Sequence, residues 1–171
     1  NIRIERSKFK NGGSWGIMEH LGSDHNSYIG NVFTKLASGA IAVGNTINSC
    51  ASNTLPIGSQ YDTIKNNLID GVAYYYRDSA AISTLKSKYI TIENNEVRNV
   101  PHTAITQGFE WEDTGLQDTY GNIIRYNRIH NAMLLLDDGG GIYSLGKMTN
   151  TSYDHNYIYN LVKSPYQGGF S

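Results

Sequence analysis

The chain has 171 residues, with 14 Lys or Arg, 15 Asp or Glu and a single cysteine, Cys50. This near balance of charge gives no basic surface that would favour nucleic acid or an anionic membrane, and one cysteine excludes an internal disulfide framework. No apolar run approaches the length of about 18 residues that a membrane-spanning helix needs. We therefore expect one domain, residues 1–171, that binds neither nucleic acid nor a membrane.

Short strand-like segments recur along the chain, starting with "NIRIERSKF" at residues 1–9. Because this opening has no initiator Met and no signal peptide, we expect a processed protein or a fragment of a longer one. The recurring segments are 4–9, 28–33, 64–69, 90–97, 123–129 and 153–158. Glycine and asparagine are plentiful between them, which indicates frequent tight turns.

One column of the repeat is almost entirely asparagine. Its members are Ser7, Asn31, Asn67, Asn95, Asn127 and Asn156. An apolar or tyrosine residue stands three places before each member and an apolar residue two places after it, as Ile92 and Val97 do around Asn95. Positions five apart cannot both face inward along a straight strand, so the chain must bend between them. We expect each Asn to adopt the left-handed backbone at this bend and to join a hydrogen-bonded ladder.

A second strand follows in each unit, and it begins with a small residue and then an apolar one. The pairs are Gly16-Ile17, Ala40-Ile41, Ala81-Ile82, Ala104-Ile105, Gly141-Ile142 and Gly169-Phe170. Fixed strands joined by connections of variable length are typical of a solenoid. The pattern predicts an all-β fold, a right-handed parallel β-helix of about six coils with an Asn ladder. A two-sheet β-sandwich is the alternative, but it does not require one Asn column in register.

Two stretches depart from the repeat, a polar loop at 46–60 and an acidic loop at 109–119. The second loop combines Trp111 with Glu110, a pairing that suits a sugar because the ring face can stack and the acid can accept hydroxyl hydrogen bonds. The alternative is a solvated loop that Trp111 anchors on the coil.

"LLLDDGGGIYSLG" at 134–146 is the strongest local signal for chemistry. Asp137 and Asp138 would repel each other, which raises one pKa and provides the acid and base that glycosidic cleavage needs. Calcium is a second reading, because it binds carboxylate and carbonyl oxygens. The third is a turn in which Asp137 caps the backbone and only one acid faces a groove.

Stacking in register would bring further candidates to the same side. Asp78 and Asp138 each lie four places before the apolar residue of the second strand, and His102 lies near this position in the intervening coil. Two coil steps separate the acids by about 9.6 Å at the backbone, near the upper end of the range of about 6.5–9.5 Å in inverting glycosidases. The residues that could line sugar subsites nearby are Tyr76, Arg77 and Tyr143.

Residues 104–170 resemble secreted, polysaccharide-acting β-helix proteins, most closely β-helical glycoside hydrolases of the xylosidase or fucosidase type. The resemblance is carried by "AITQGFEW" (104–111), "NIIRYNRIHNAMLLLDDGGGIYSLG" (122–146) and "YDHNYIYNLVKSPYQGG" (153–169). It implies a catalytic or substrate-contacting role for Asp138, with Asp137 beside it. Relatives usually continue beyond the "YQGGF" turn into a strand with an Asp-Glu pair, whereas this chain stops at Ser171.

We therefore predict a glycoside hydrolase that acts on a polysaccharide or oligosaccharide by carboxylate acid/base catalysis. The predicted catalytic residues are Asp138, Asp137, Asp78 and His102, and the predicted substrate-binding residues are Trp111, Glu110, Tyr143, Arg77 and Tyr76. We expect no cofactor, unless Ca²⁺ binds, and a secreted protein, extracellular or periplasmic. The alternatives are a β-helical polysaccharide lyase or epimerase, and a non-catalytic glycan-binding module of the tailspike or adhesin kind.

Overall fold

The computed structural model describes residues 1–20, 22–44, 58–108 and 119–162. Within these ranges the chain forms short strands and no helix, so none of the described segments is a helix that could cross a membrane. The strands fall into successive coils of three, and the sixth coil contributes two described strands. Coil 1 contains β1 (Arg3–Glu5), β2 (Lys8–Lys10) and β3 (Ile17–Glu19), and coil 2 contains β4 (Ser27–Ile29), β5 (Val32–Thr34) and β6 (Ile41–Gly44). Coil 3 contains β7 (Thr63–Lys65), β8 (Leu68–Asp70) and β9 (Ile82–Leu85), and coil 4 contains β10 (Thr91–Glu93), β11 (Glu96–Arg98) and β12 (Ile105–Gly108). Coil 5 contains β13 (Ile123–Arg125), β14 (Arg128–Ala132) and β15 (Ile142–Leu145), and coil 6 contains β16 (Ser152–Asp154) and β17 (Tyr157–Leu161).

Each strand pairs in parallel with its counterpart one coil away. Three sheets result, β1-β4-β7-β10-β13-β16, β2-β5-β8-β11-β14-β17 and β3-β6-β9-β12-β15. The fold is the right-handed parallel β-helix that the repeat predicts, and the predicted register is confirmed. Ile92, for example, pairs with Ile64 and Ile124 in the neighbouring coils. These three isoleucines are fully buried, because the inward face of each sheet lines one continuous apolar core.

The asparagine column forms an unbroken chain of side-chain hydrogen bonds. Asn67 Nδ2 donates to Asn95 Oδ1 at 2.9 Å, and Asn95 Nδ2 donates to Asn127 Oδ1 at 3.0 Å. Each amide also serves the backbone, since Asn95 Nδ2 donates to the Ile64 carbonyl at 2.9 Å and Asn95 Oδ1 accepts from the Asn67 N–H at 3.0 Å. The same contacts join Asn31 to Asn67 and Asn127 to Asn156. The column therefore satisfies the buried backbone groups at a bend where the sheet ladder is interrupted.

The left-handed residue at this bend is not the ladder asparagine, so that prediction was wrong. Positive φ values belong to the residue before it, at Gly30, Asn66, Asn94, Tyr126 and His155, with values between 50° and 67°. The physical reason is that two neighbouring residues have different roles at the bend. The preceding residue makes the turn on the outside of the coil, where most of these side chains are exposed, and the Asn side chain is left free to point inward.

A second column, five residues before the first and polar at four of its five described members, supports the turn that precedes the first strand of the coil. Its members are Asn26, Asp62, Ile90, Asn122 and Thr151. Asp62 Oδ1 accepts from the Asn26 N–H at 2.7 Å, and Asn122 Oδ1 accepts from the Ile90 N–H at 2.8 Å. The sequence analysis missed this column because its residue types vary from coil to coil.

The second column places an acid pair inside the solenoid. Asp62 and Glu19 are both buried, and Tyr28 donates to Glu19 Oε2 at 2.5 Å. Burial raises the pKa of Asp62 to about 8, and the hydrogen bond from Asn26 opposes this rise while the charge and side-chain contact of Glu19 add to it. Burial also raises the pKa of Tyr28. Glu19 Oε1 and Asp62 Oδ2 have no hydrogen-bond partner among the described residues, and the nearby Glu19 side chain favours the protonated form of Asp62.

Asp62→Asn is expected to remove a pH dependence of stability. In the unfolded chain this carboxyl titrates near pH 3.9, whereas in the folded chain it keeps its proton up to about pH 8. The folded state thus binds the extra proton between these values, so the free energy of unfolding falls as pH rises, by at most about 1.4 kcal/mol per pH unit. The measurement is urea unfolding at pH 5 and pH 8, with Asp24→Asn, whose side chain is half exposed, as the control. The same decline in wild type and Asp62→Asn would contradict the assignment.

Candidate functional site

An open groove of about 350 Å³ lies over the outer face of the third sheet. Its floor is formed by the outward side chain at the second position of each of the five strands. These side chains are Met18, Ala42, Ser83, Thr106 and Tyr143, which are in register. Neighbouring strands are about 4.8 Å apart, so the floor extends for about 19 Å across the strands. The groove is long enough to accept an extended ligand lying along the solenoid axis.

One side of the groove is formed by the segments that lead into the strands of this sheet. Asp78 precedes β9, His102 precedes β12 and Asp138 precedes β15, and all three line the groove. They come from coils 3, 4 and 5, so the stacking of coils brings together residues that are up to 60 positions apart in the chain. The structure therefore gathers these predicted residues at one site, while their catalytic roles remain predictions.

The two acids occupy equivalent places in two similar loops, 73–78 and 133–138. Both loops start at a residue with φ of 59°, Ala73 or Met133, and both end on the Asp. Their backbone N–H groups donate to equivalent carbonyls of the preceding coil. In the first loop these bonds run from Ala73 to Ser38, from Tyr74 to Leu36, and from Tyr75 and Tyr76 to Ala37. In the second loop they run from Met133 to His102, from Leu134 to Val100, and from Leu135 and Leu136 to Pro101. The first four residues of the two loops are thus held in the same way, two coils apart, although the backbone of Asp138 is left-handed and that of Asp78 is not.

His102 lies between these loops and contacts the backbone of both. Its Nδ1 is 3.1 Å from the Asp78 carbonyl oxygen, and its Nε2 is 3.1 Å from the Asp137 and 3.3 Å from the Asp138 carbonyl oxygen. A carbonyl oxygen only accepts, so a neutral imidazole can donate to one loop, and a doubly protonated ring can donate to both. Because both ring nitrogens face the protein backbone, this geometry favours a positioning role for His102 over direct proton transfer to a substrate.

The adjacent acids Asp137 and Asp138 have different surroundings. Asp138 lines the groove and is exposed, whereas Asp137 is half-buried and is not among the described residues that line the groove. Asp138 also has a φ of 60°, a left-handed backbone that Asp tolerates better than most non-glycine residues. Of the three readings of this segment, the arrangement fits the turn in which only one acid faces the groove. Because Asp138 lines the groove, this turn is compatible with the predicted catalytic role.

The other predicted site residues are placed less uniformly. Tyr143 lies on the groove floor, and Tyr76 and Arg77 are exposed on loop 73–78 without lining the groove. Glu110 and Trp111 lie outside the described residues, so their predicted contacts with sugar stay predictions. Within the described ranges no group of three or more His, Cys, Asp or Glu residues could hold a metal ion. Ca²⁺ binding stays an expectation.

The groove residues that the sequence did not predict include Trp15 and Met18, which lie with His20 at the first-coil end. Trp15 stands two places before Ile17, but the aligned positions of the later coils, such as Gly39 and Ala80, carry no aromatic residue, so the columns did not indicate it. Glu19, between Met18 and His20, belongs to β3 and faces the core. The alternation of side chains along β3 explains why its neighbours Met18 and His20 face the groove.

Comparison with known proteins gives a structural similarity for the fold of this chain. No protein-family model and no curated protein match the sequence. A solved structure titled "Glycoside hydrolase" superposes with a TM-score of 0.76 and 23% sequence identity over 92% of this chain. The chain spans 28% of the length of that protein. This similarity supports the β-helical fold, and it does not confirm the xylosidase or fucosidase type.

Proposed function

We propose that the chain is a carbohydrate-active protein, a glycoside hydrolase that cleaves a neutral polysaccharide or oligosaccharide in the groove of the third sheet. The observation that carries this proposal is the placement of Asp78 and Asp138 at equivalent points of two similar loops on one open groove. Glycosidic cleavage needs two carboxyl groups, one that protonates the leaving oxygen and one that acts on the other side of the bond. The similarity to a solved structure titled as a glycoside hydrolase supports the same class.

In this proposal the two acids divide the chemistry and His102 holds their loops. Two coil steps correspond to about 9.6 Å between equivalent backbone positions, which is closer to the separation of about 6.5–9.5 Å in inverting enzymes than to that of about 5–5.5 Å in retaining ones. A water molecule bound between substrate and one carboxylate would then be the nucleophile. Tyr143, in the same coil as Asp138, offers a ring on the floor against which a sugar can pack.

The charge of the groove favours a neutral glycan over a uronate. A lyase or epimerase must neutralise the substrate carboxylate beside the proton that it removes, and Arg, Lys or a metal ion would supply that charge. Among the described groove residues there is no Lys or Arg, and Arg77 lies outside the lining. Asp78 and Asp138 would repel an anionic polymer, so hydrolysis of an uncharged substrate fits better.

A panel of neutral aryl glycosides, neutral plant polysaccharides and polygalacturonate tests the proposal. The expected result is new reducing ends from at least one neutral substrate, with none from polygalacturonate. Unsaturated uronates that absorb in the ultraviolet would instead identify a lyase. Binding of glycans without any product would identify a binding module and end the proposal of catalysis.

Gly139→Ala is expected to lower kcat/KM on the substrate so found by about 10- to 100-fold, because groups at the site would be displaced by a fraction of an ångström or more. A Cβ at this position would lie 2.8 Å from His102 Nε2 and closer still to Thr103 Oγ1. The control is Gly13→Ala, where a Cβ would meet nothing within 4 Å. Thermal unfolding would be recorded for both variants. Wild-type activity in a folded Gly139→Ala protein would show that His102 does not position the site.

A further inference from the structure

The groove changes character along its length. The acids Asp78 and Asp138 belong to coils 3 and 5. Over coils 1 and 2 the described groove residues include no carboxylate, since Glu19 faces the core. They are Trp15, Met18, His20, Ala42, Val43 and Gly44. This end of the groove therefore lacks the carboxyl groups that glycosidic cleavage needs and offers an aromatic and apolar surface for binding.

Trp15 is held in place by the coil next to it. Its six-membered ring lies over Gly39, where an added Cβ would be 2.7 Å from Trp15 Cη2, and nearer to Cζ3 and to the Ala80 carbonyl oxygen. The backbone below is equally tight, because a Cβ at Gly16 would lie 2.7 Å from the Phe33 ring. Only glycines fit at these positions, so the ring is fixed over coil 2. A rigid aromatic surface of this kind costs little conformational entropy when a ligand binds.

The ring lies on the same side of the groove as the acids. Trp15 is in register with Gly39 and Ala80, as the backbone bonds from Gly16 to Gly39 and from Ala40 to Ala81 require. Ala80 is two residues after Asp78. The tryptophan therefore lies on the same side of the groove at coils 1 and 2 as Asp78 does at coil 3. The groove floor next to the ring is flat at coil 2, because Ala42 has a small side chain and Gly44 has none.

We propose that Trp15 forms a distal sugar subsite and that the protein therefore acts on oligosaccharides or polymers and not on single glycosides. The inference rests on the proposed function of the same groove. A chain lying along the solenoid axis would place one sugar on Trp15 while the scissile bond lies between Asp78 and Asp138. The half-exposed Met18 at the groove floor provides a second, adaptable apolar contact for that sugar.

Calorimetric titration of the Asp138→Asn protein tests the subsite without turnover. Its ligands are xylo-, manno- and cello-oligosaccharides from disaccharide to hexasaccharide. We expect affinity to rise with chain length in at least one series. Adding Trp15→Ala to Asp138→Asn should weaken the binding affinity for the hexasaccharide about tenfold, as expected for loss of one aromatic contact. The affinity for the disaccharide should not change. Trp15→Phe, which keeps an aromatic ring, should retain most of the increase in affinity with chain length. This variant is the control for a folding defect in Trp15→Ala.

Equal affinity at every length, no binding in any series, or equal losses for short and long ligands would overturn the distal subsite. These results are separable from the test of hydrolysis. Length-dependent binding that requires Trp15, combined with no product from the glycan panel, would remove the hydrolase proposal and keep the subsite. Hydrolysis combined with binding that does not depend on chain length would keep the hydrolase proposal and remove the subsite.

Discussion

Asp138→Asn is expected to lower kcat on the best neutral glycan by about 10³-fold and to change KM little. The amide cannot exchange the proton that general acid/base catalysis requires, a contribution of about 10²–10⁴-fold. The substitution is structurally mild, because Asn is nearly the same size and tolerates the left-handed backbone that Asp138 adopts. The measurement is the release of reducing ends under saturating substrate, with circular dichroism to confirm folding.

The adjacent acid provides the matched control. Asp137 interacts with His102 through its backbone carbonyl, which Asp137→Asn retains, and its side chain is not part of the described groove lining. We expect Asp137→Asn to keep activity within a few-fold of wild type. If the two variants lost activity equally, the assignment of the reactive acid to Asp138 would be wrong.

Asn95→Leu is expected to reduce the free energy of unfolding by about 4 kcal/mol, since several buried groups would lose their partners at about 1–3 kcal/mol each. The Asn67 N–H and the Ile64 carbonyl lose the bonds that the Asn95 side chain makes to them, Asn67 Nδ2 loses one acceptor, and the Asn127 side-chain oxygen keeps only the Asn95 N–H. Urea unfolding monitored by circular dichroism measures the loss. A change below about 1 kcal/mol would mean that the asparagine column contributes little to stability.

Asn156→Leu is the control for position along the column. Asn156 makes the equivalent contacts with Asn127 and with the Ile124 carbonyl, but it is only half-buried. Water can replace part of what is lost there, so we expect less than half the effect of Asn95→Leu. Equal losses at the two positions would indicate that burial does not determine the contribution.

The architecture was predictable because its signal is repeated. The apolar columns through Ile92 and Val97, and the asparagine column through Asn95, place the same residue types at the same offsets in each coil, and the strands pair as those offsets require. The common side of Asp78, His102 and Asp138 followed from the same counting. Register alone carries this information, since residues aligned in sequence repeats are neighbours in a stacked solenoid.

Features that depend on one coil were not predictable. Trp15 has no aromatic counterpart at the aligned position in coils 2 to 5, so no column indicated it. The Asp62–Glu19 pair joins residues from different columns, and only the three-dimensional structure shows that both acids face the core. The similarity of loops 73–78 and 133–138 was hidden because three tyrosines in one correspond to three leucines in the other. Their common backbone bonds are what show it.

The central claim is that Asp78 and Asp138, from coils 3 and 5, act on one glycosidic bond. The most direct measurement is the hydrolysis rate of four chains, wild type, Asp78→Asn, Asp138→Asn and the double variant, on the same neutral oligosaccharide. We expect the rate of each single variant to fall by at least about 100-fold. The double variant should be scarcely slower than the slower single variant, because the effects of groups that act as a unit are not additive. Wild-type hydrolysis by Asp78→Asn would contradict it.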